Sequence, residues 1–240
     1  MCGRFLLTTP AEALRQAFGF VEQPNLEPRY NIAPTQDVPV IRQRRKPAGE
    51  RTLQMLRWGL VPSWATSLAG GAKMINARAE TITAKPAFRD AFARRRCLVP
   101  ADGFYEWRPG DETKQPYRIV ARDGAPLAFA GLWERWTPPR EAGGMESGAA
   151  ESEGKRPYVD SFTIVTTEAN AHLAPLHHRM PVVLAPADRA AWLDPMATPA
   201  DLLPLLRPAQ EDLLHYVPVD RRVNNVRNDD ATLTESGIPA

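Results

Sequence analysis

Twenty-four prolines in 240 residues set the first limit on this chain. Each proline removes a backbone donor and clashes with the preceding helical turn, so no long helix runs through a chain interrupted this often. The elements must be short, and most of them read as strands. Val38 to Arg42, Thr52 to Trp58, Cys97 to Pro100, Gly103 to Trp107, Pro116 to Ala121, Leu127 to Trp133, Phe162 to Thr166, Val182 to Leu184 and Leu213 to Val217 have strand character. The closely spaced ones are expected to pair antiparallel. Short helices are predicted from Pro10 to Gly19, opened by a Thr9-Pro10-Ala11-Glu12 capping box, from Pro86 to Arg95, from Glu168 to Leu176, from Ala187 to Leu193, and at Thr198-Pro199. Arg29 to Pro34 reads as a loop, Pro47 to Glu50 as a polar turn, and Asn224 to Asp230 as a polar tail. Pro138 to Pro157 holds Gly, Ser, Ala and Glu with almost no large apolar residue, so a flexible loop insertion is expected there rather than a domain boundary. No repeat is visible. The expectation is an α+β fold, a single domain over residues 1–240 with a mainly antiparallel, barrel-like β core flanked by short helices.

Composition narrows the function classes. With 43% hydrophobic and 24% charged residues and a net charge of +2, the chain is neither disordered nor fibrous. No apolar run approaches the roughly 18 residues that span a bilayer. The opening Met-Cys-Gly-Arg-Phe has neither an apolar signal region nor the Met-Gly of a myristoylation site, so a cytoplasmic protein is expected. Two cysteines, Cys2 and Cys97, make no disulfide framework. Of the 30 basic residues 25 are arginine, whose forked guanidinium suits phosphate oxygens and stacks on bases. GC-rich coding bias would raise arginine equally, and the small net charge confines any basic groove to a local patch.

Cys2 has the widest chemical reach. Removal of Met1 would leave a free amine and a thiol on adjacent carbons. The amine, with an ordinary pKa of about 7.7–8, is partly neutral at pH 7, and a few per cent of an ordinary thiol is thiolate. Together they can condense with an aldehyde, the amine giving an imine and the sulfur closing a five-membered thiazolidine, a closure favoured because it is intramolecular. Alternatively Cys2 is simply a small second residue. Glu106 lies among aromatics in Phe104-Tyr105-Glu106-Trp107, where burial would raise its pKa toward proton transfer; a solvent-facing strand glutamate is the plainer reading. Asn76 could orient a nucleophile or merely make a turn. His177, next to His178, is a candidate proton shuttle. The histidines and Cys97 fit no common ligand spacing, so no metal and no cofactor are expected. GxGxxG, GxxxxGK and GxSxG patterns are missing from the sequence.

Several ordered motifs then coincide. They are Met1-Cys2-Gly3-Arg4-Phe5, Arg29-Tyr30-Asn31-Ile32-Ala33-Pro34, Arg57-Trp58-Gly59-Leu60-Val61-Pro62, Ile75-Asn76-Ala77-Arg78-Ala79-Glu80-Thr81, Cys97 through Trp107, His177-His178-Arg179-Met180-Pro181, and Val223 through Asn228. Together they resemble the SRAP family, the SOS-response-associated peptidase domain, from residue 2 to about 230. The resemblance implies a sensor of abasic sites in single-stranded DNA, with Cys2 forming a thiazolidine with the ring-opened sugar. It further implies that Asn76 positions Cys2, that Glu106 serves sugar opening and imine formation, and that His177 moves protons during crosslinking and its reversal. Arg4 and Arg78 would hold flanking phosphates, with Lys85 and Arg89 as further basic candidates. Asn31, Pro34, Trp58 and Trp64 complete the expected DNA-contacting set, the tryptophans and Pro34 stacking on bases beside the gap. A monomer is expected, and no membrane partner.

Two other functions stay open on the sequence. One is an N-terminal-nucleophile thiol amidase or peptidase, with the Cys2 amine as base and Asn76 as an oxyanion donor. The other is a non-covalent single-strand-binding module.

Overall fold

The computed structural model describes residues 2–44, 49–109, 114–139 and 157–235. Twelve strands follow in chain order: β1 (Phe5–Leu7), β2 (Arg29–Ile32), β3 (Asp37–Gln43), β4 (Arg51–Trp58), β5 (Asn76–Arg78), β6 (Arg96–Ala101), β7 (Gly103–Arg108), β8 (Gln115–Ala121), β9 (Leu127–Trp136), β10 (Val159–Glu168), β11 (Arg179–Pro181) and β12 (Leu214–Pro218). Four helices intervene: α1 (Ala11–Phe18), α2 (Pro86–Arg94), α3 (Asp188–Leu193) and α4 (Pro199–Leu202). The longest has nine residues, as the prolines require. Among the described residues no helix is long and apolar enough to cross a membrane.

Five strands close a ring in the order β10, β4, β3, β6, β9 and back to β10. Its ladders are antiparallel except β4 with β10, which run parallel through Arg57 opposite Ser161 and Trp58 opposite Phe162. Closure leaves the ring without free edges. Two short strands extend β10 beyond it: β5 lies parallel, with Asn76 opposite Ile164, and β11 antiparallel, with Arg179 opposite Glu168. The other sheet is open and antiparallel, in the order β12, β8, β7, β1, β2. An edge-to-face aromatic column joins the sheets: Phe5 meets Trp58 at 5.1 Å and Phe129 at 6.3 Å, and Phe104 meets Phe129 at 5.9 Å.

Most predicted elements are present within a residue or two, and the departures have local causes. α1 forms and stops at Gly19, left-handed at φ 68°, but the expected capping box is not made. Thr9 instead gives its hydroxyl to Asp102 Oδ1 at 2.6 Å, and Glu12 pairs with Arg15. The expected Arg29–Pro34 loop is in its first four residues β2, paired to the three-residue β1, too short to read from periodicity. On its other side the Asp229 carboxylate accepts the N–H groups of Tyr30 and Asn31. The expected helix from Glu168 to Leu176 is a run of turns. Pro175 lacks a donor and pushes Ala174 away from helical geometry, and Asn170 Oδ1 takes the Leu173 N–H at 3.0 Å. The strand expected at Val182–Leu184 lies three residues earlier as β11, and Val183 makes only a single bridge to Phe129. Most of the expected loop insertion at 138–157, and part of the turn at 47–50, lie outside the described residues.

Candidate active site at the amino terminus

β1 is inserted between β2 and β7, with Phe5 opposite both Ile32 and Phe104. Asp102 locks its far end, accepting the N–H and hydroxyl of both Thr8 and Thr9. The Tyr105 N–H donates to Arg4 O at 3.0 Å, so the chain before Phe5 continues alongside β7 toward Glu106. From the barrel side β5 delivers Asn76, whose Nδ2 donates to Cys2 O at 2.9 Å. The peptide ahead of Asn76 is itself fixed, Ile75 O accepting from Trp58 Nε1 at 3.0 Å and from the Ile164 N–H at 3.1 Å. Gly59 makes this packing feasible: at φ 115°, a Cβ there would meet Gly71 O at 2.6 Å.

Cys2 is fully buried with Met1 attached. Burial pushes its thiol well above the usual range and the neighbouring Glu106 charge pushes it further, against a smaller opposing pull from the positive chain terminus. Glu106, 5% exposed, holds its proton above the ordinary carboxylate range because it is buried, again partly offset by that terminal charge. His177 is pushed down to about 4, chiefly by burial, so it is neutral near pH 7. Its Nδ1 lies 2.9 Å from the Arg179 N–H, a group that can only donate. Nδ1 also lies 3.2 Å from Arg179 O, so this nitrogen can accept from the Arg179 N–H or donate to its carbonyl. The acid neighbours the Cys2 thiol, and the neutral imidazole lines the same cleft as the acid. Burial raises the one pKa and lowers the other, so each group favours its neutral form.

Above them opens a cleft of about 600 Å³ lined by Arg4, Glu106, Trp107, Lys114, His177, Arg221 and Asn224. Its charged wall is mostly cationic. Arg4 is held in place by Asn31 Oδ1 at 2.9 Å and Val223 O at 2.8 Å. Arg78 at the end of β5, and Lys85 and Arg89 at the start of α2, are exposed; Arg89 has Asp90 at 3.6 Å. Trp64 is 66% exposed and Pro34 half-buried. Two expected DNA contacts need correction. Trp58 is fully buried beside Phe5 and Phe162, so its ring offers no face to a base. Asn31 is also fully buried, and its Nδ2 is surrounded by the carbonyls of Val223, Asn225 and Asn228. It fastens the C-terminal segment and orients Arg4 rather than touching a ligand.

Sequence reasoning missed Lys114, Arg221 and Asp229. The first two reach the cleft from separate loops and carry no local signal. Asp229 hid in a polar tail, although its proximity to the Val223–Asn228 motif was a hint. Among the described residues no group of three histidine, cysteine, aspartate or glutamate side chains could hold a metal ion.

Fold and site together define a class: a β-barrel protein with a buried cysteine near its amino terminus, next to a buried glutamate that lines a mostly cationic cleft. The chain belongs to the SOS response associated peptidase (SRAP) family, whose model matches residues 1–226. It is 38% identical to the abasic site processing protein YoqW of Bacillus subtilis (strain 168), over 98% of this chain and 100% of that one. It is 31% identical to the abasic site processing protein HMCES of Gallus gallus, over 95% of this chain and 76% of that one. A crystal structure of a Bacteroides thetaiotaomicron protein superposes with a TM-score of 0.82 at 26% identity, covering 99% of this chain and 100% of that one.

Proposed function

We propose that this protein processes abasic sites in single-stranded DNA by covalent capture at Cys2. The observation that carries the reading is the meeting of Cys2, Asn76, Glu106 and His177 beside one cation-lined cleft. It is supported by relatives named as abasic site processing proteins. Removal of Met1 frees the Cys2 amine. An abasic sugar is mostly a closed hemiacetal, and opening it moves a proton from the hydroxyl to the ring oxygen. Glu106 and the neutral His177 are the groups placed to carry that proton. The amine adds to the aldehyde carbon, water leaves with a proton from Glu106, and the nitrogen's remaining proton returns to Glu106 to give the imine. The thiol sulfur then adds to the imine carbon and its proton passes to nitrogen. One water is released for each thiazolidine formed. Asn76 holds the Cys2 carbonyl so that both nucleophiles face the cleft. Arg4 and Arg78 take the flanking phosphates, and Trp64 stacks on a neighbouring base.

The test is incubation of Met1-processed protein with an abasic single-stranded oligonucleotide, read on a denaturing gel. A heat-stable, slower-migrating adduct is expected from wild type and none from Cys2→Ala or from protein with a tag ahead of Cys2. No wild-type adduct, or an undiminished one from Cys2→Ala, ends the proposal. The family description favours a second reading, in which Cys2 attacks an amide carbonyl with its own amine as base. Steady turnover of a peptide substrate without DNA would support it.

A further inference from the structure

Glu106 does not stand alone on its face of the open sheet. Its direct cross-strand partner is Tyr117 on β8, so the two side chains project to the same side. Diagonally beyond, on β12, Tyr216 meets Tyr117 edge-to-face at 5.5 Å, and His172 lies against Tyr216 at 5.0 Å. Arg108, two residues after Glu106 on the same face, holds its guanidinium 4.7 Å above the Tyr117 ring. Tyr117, Tyr216 and His172 are half-buried residues, the two tyrosines packed against the core. Lys114, which lines the cleft, adjoins the β8 end of the row. Among the described residues neither Arg108 nor Lys114 has a carboxylate partner, whereas Arg15, Arg29, Arg42 and Arg135 all do.

We infer that this row is a stacking track for the bases on one flank of the DNA strand whose abasic site occupies the cleft. The inference rests on the DNA reading given above and adds where the strand goes. Successive bases stack on aromatic faces with little regard to sequence, and cations beside them take the phosphates. The track is continuous with the cleft, since Glu106 belongs to both. It also has an end. Glu211 fixes its carboxylate on the N–H groups of Ala171 and His172 at 2.9 and 2.8 Å, so a phosphate carried past His172 meets negative charge. The three rings touch one another at 5.5 and 5.0 Å, so bases lie along the row and not between its members. The opposite face of β7 and β8 carries Trp107, which lines the cleft with Arg4 6.0 Å from its ring, beside a small core of Tyr105, Val219 and Val223.

The test uses single-stranded oligonucleotides bearing a tetrahydrofuran analogue, which has no aldehyde and cannot crosslink. Fluorescence anisotropy measures affinity as each flank is lengthened separately from one to four nucleotides. For wild type one flank should tighten binding far more than the other. Tyr117→Ala and Tyr216→Ala should each lose about tenfold of that gain while binding the shortest oligonucleotide as wild type does. Tyr117→Phe and Tyr216→Phe should keep it. Because both tyrosines pack partly on the core, Arg108→Gln serves as a surface variant, and it should flatten the salt dependence of the longer-flank complex only. Equal gains from the two flanks, or tyrosine variants that weaken short and long oligonucleotides alike, overturn the track. A missing adduct with aldehyde-bearing DNA, with flank discrimination intact, instead counts against covalent capture.

Discussion

The two cysteines make the most instructive pair of sites in the molecule. Cys2 and Cys97 are both fully buried, and burial raises both thiols. Cys97 lies on β6 in the closed ring, opposite Gly131, where an added Cβ would sit 2.8 Å from its sulfur. Among the described residues the charge that perturbs it is the buried Arg42. It is a small apolar filler. Cys2 sits where the open sheet meets the strands added to β10, beside a carboxylic acid that lines the cleft and an amide that holds its carbonyl. Burial makes both thiols inert. What distinguishes Cys2 is its neighbours, and the single peptide bond whose removal gives it an amine.

The sharpest way to break that comparison is to exchange the two roles. Cys2→Ala should lower adduct formation by at least about 10³-fold, a complete loss of the nucleophile, while Cys97→Ala should leave the rate within about twofold. The second variant should instead cost about 1–2 kcal/mol in urea unfolding, the effect of a small cavity in a tight ring. Alkylation adds a finer cut, because both buried thiols should resist it in the folded protein. Labelling of Cys97 in native protein would show that the barrel opens.

Glu106→Gln should slow crosslinking by about 10²–10⁴-fold, the usual weight of a positioned acid or base. Burial raises the Glu106 pKa, so its acidic form persists above the ordinary carboxylate range and disappears as pH rises through the raised value. The ratio of wild-type to variant rate should therefore decline with rising pH. A ratio that grows with pH would assign Glu106 the base role instead.

His177 should leave its mark on stability as well as on rate. Its pKa falls from 6.5 to about 4 on folding, so between those values the unfolded chain binds a proton that the native chain refuses. Wild type should therefore lose stability relative to His177→Gln as pH drops from about 6.5 to 4, with no further divergence below. Melting temperatures across that window check this, and parallel curves would show that the imidazole is not desolvated.

The smallest effects separate two tryptophans that look equivalent in the sequence. Trp64→Ala should stay within about 0.5 kcal/mol of wild-type stability, as exposed substitutions do, yet weaken binding to abasic-analogue DNA by about tenfold. Trp58→Phe should destabilise the fold and leave affinity per folded molecule unchanged. The reverse pattern would return Trp58 to the DNA surface.

Much of the architecture could be read along the chain. The apolar runs from Leu127 to Trp133 and from Cys97 to Pro100 announced buried strands, and the prolines announced short helices. β1, β5 and β11 were not seen as strands where they lie, because three residues hold too little periodicity to register. Their existence depends on the partner that each one meets. At the site, Cys2, Asn76, Glu106 and His177 stood out by residue type and motif. Asn31 and Trp58 were misassigned because a polar or aromatic side chain looks the same on paper whether it faces a ligand or a core.

The amino-acid order by itself therefore determined which residue types could do chemistry, and that the scaffold had to be made of short strands, since both follow from local covalent and steric properties. Only the tertiary structure decided which of these residues share one pocket and which proton each holds. Pairing across some 70 to 220 positions, as between Asn76 and Cys2 or Arg4 and Asn224, is long-range. A pKa is the property of an environment, and no stretch of sequence contains its own surroundings.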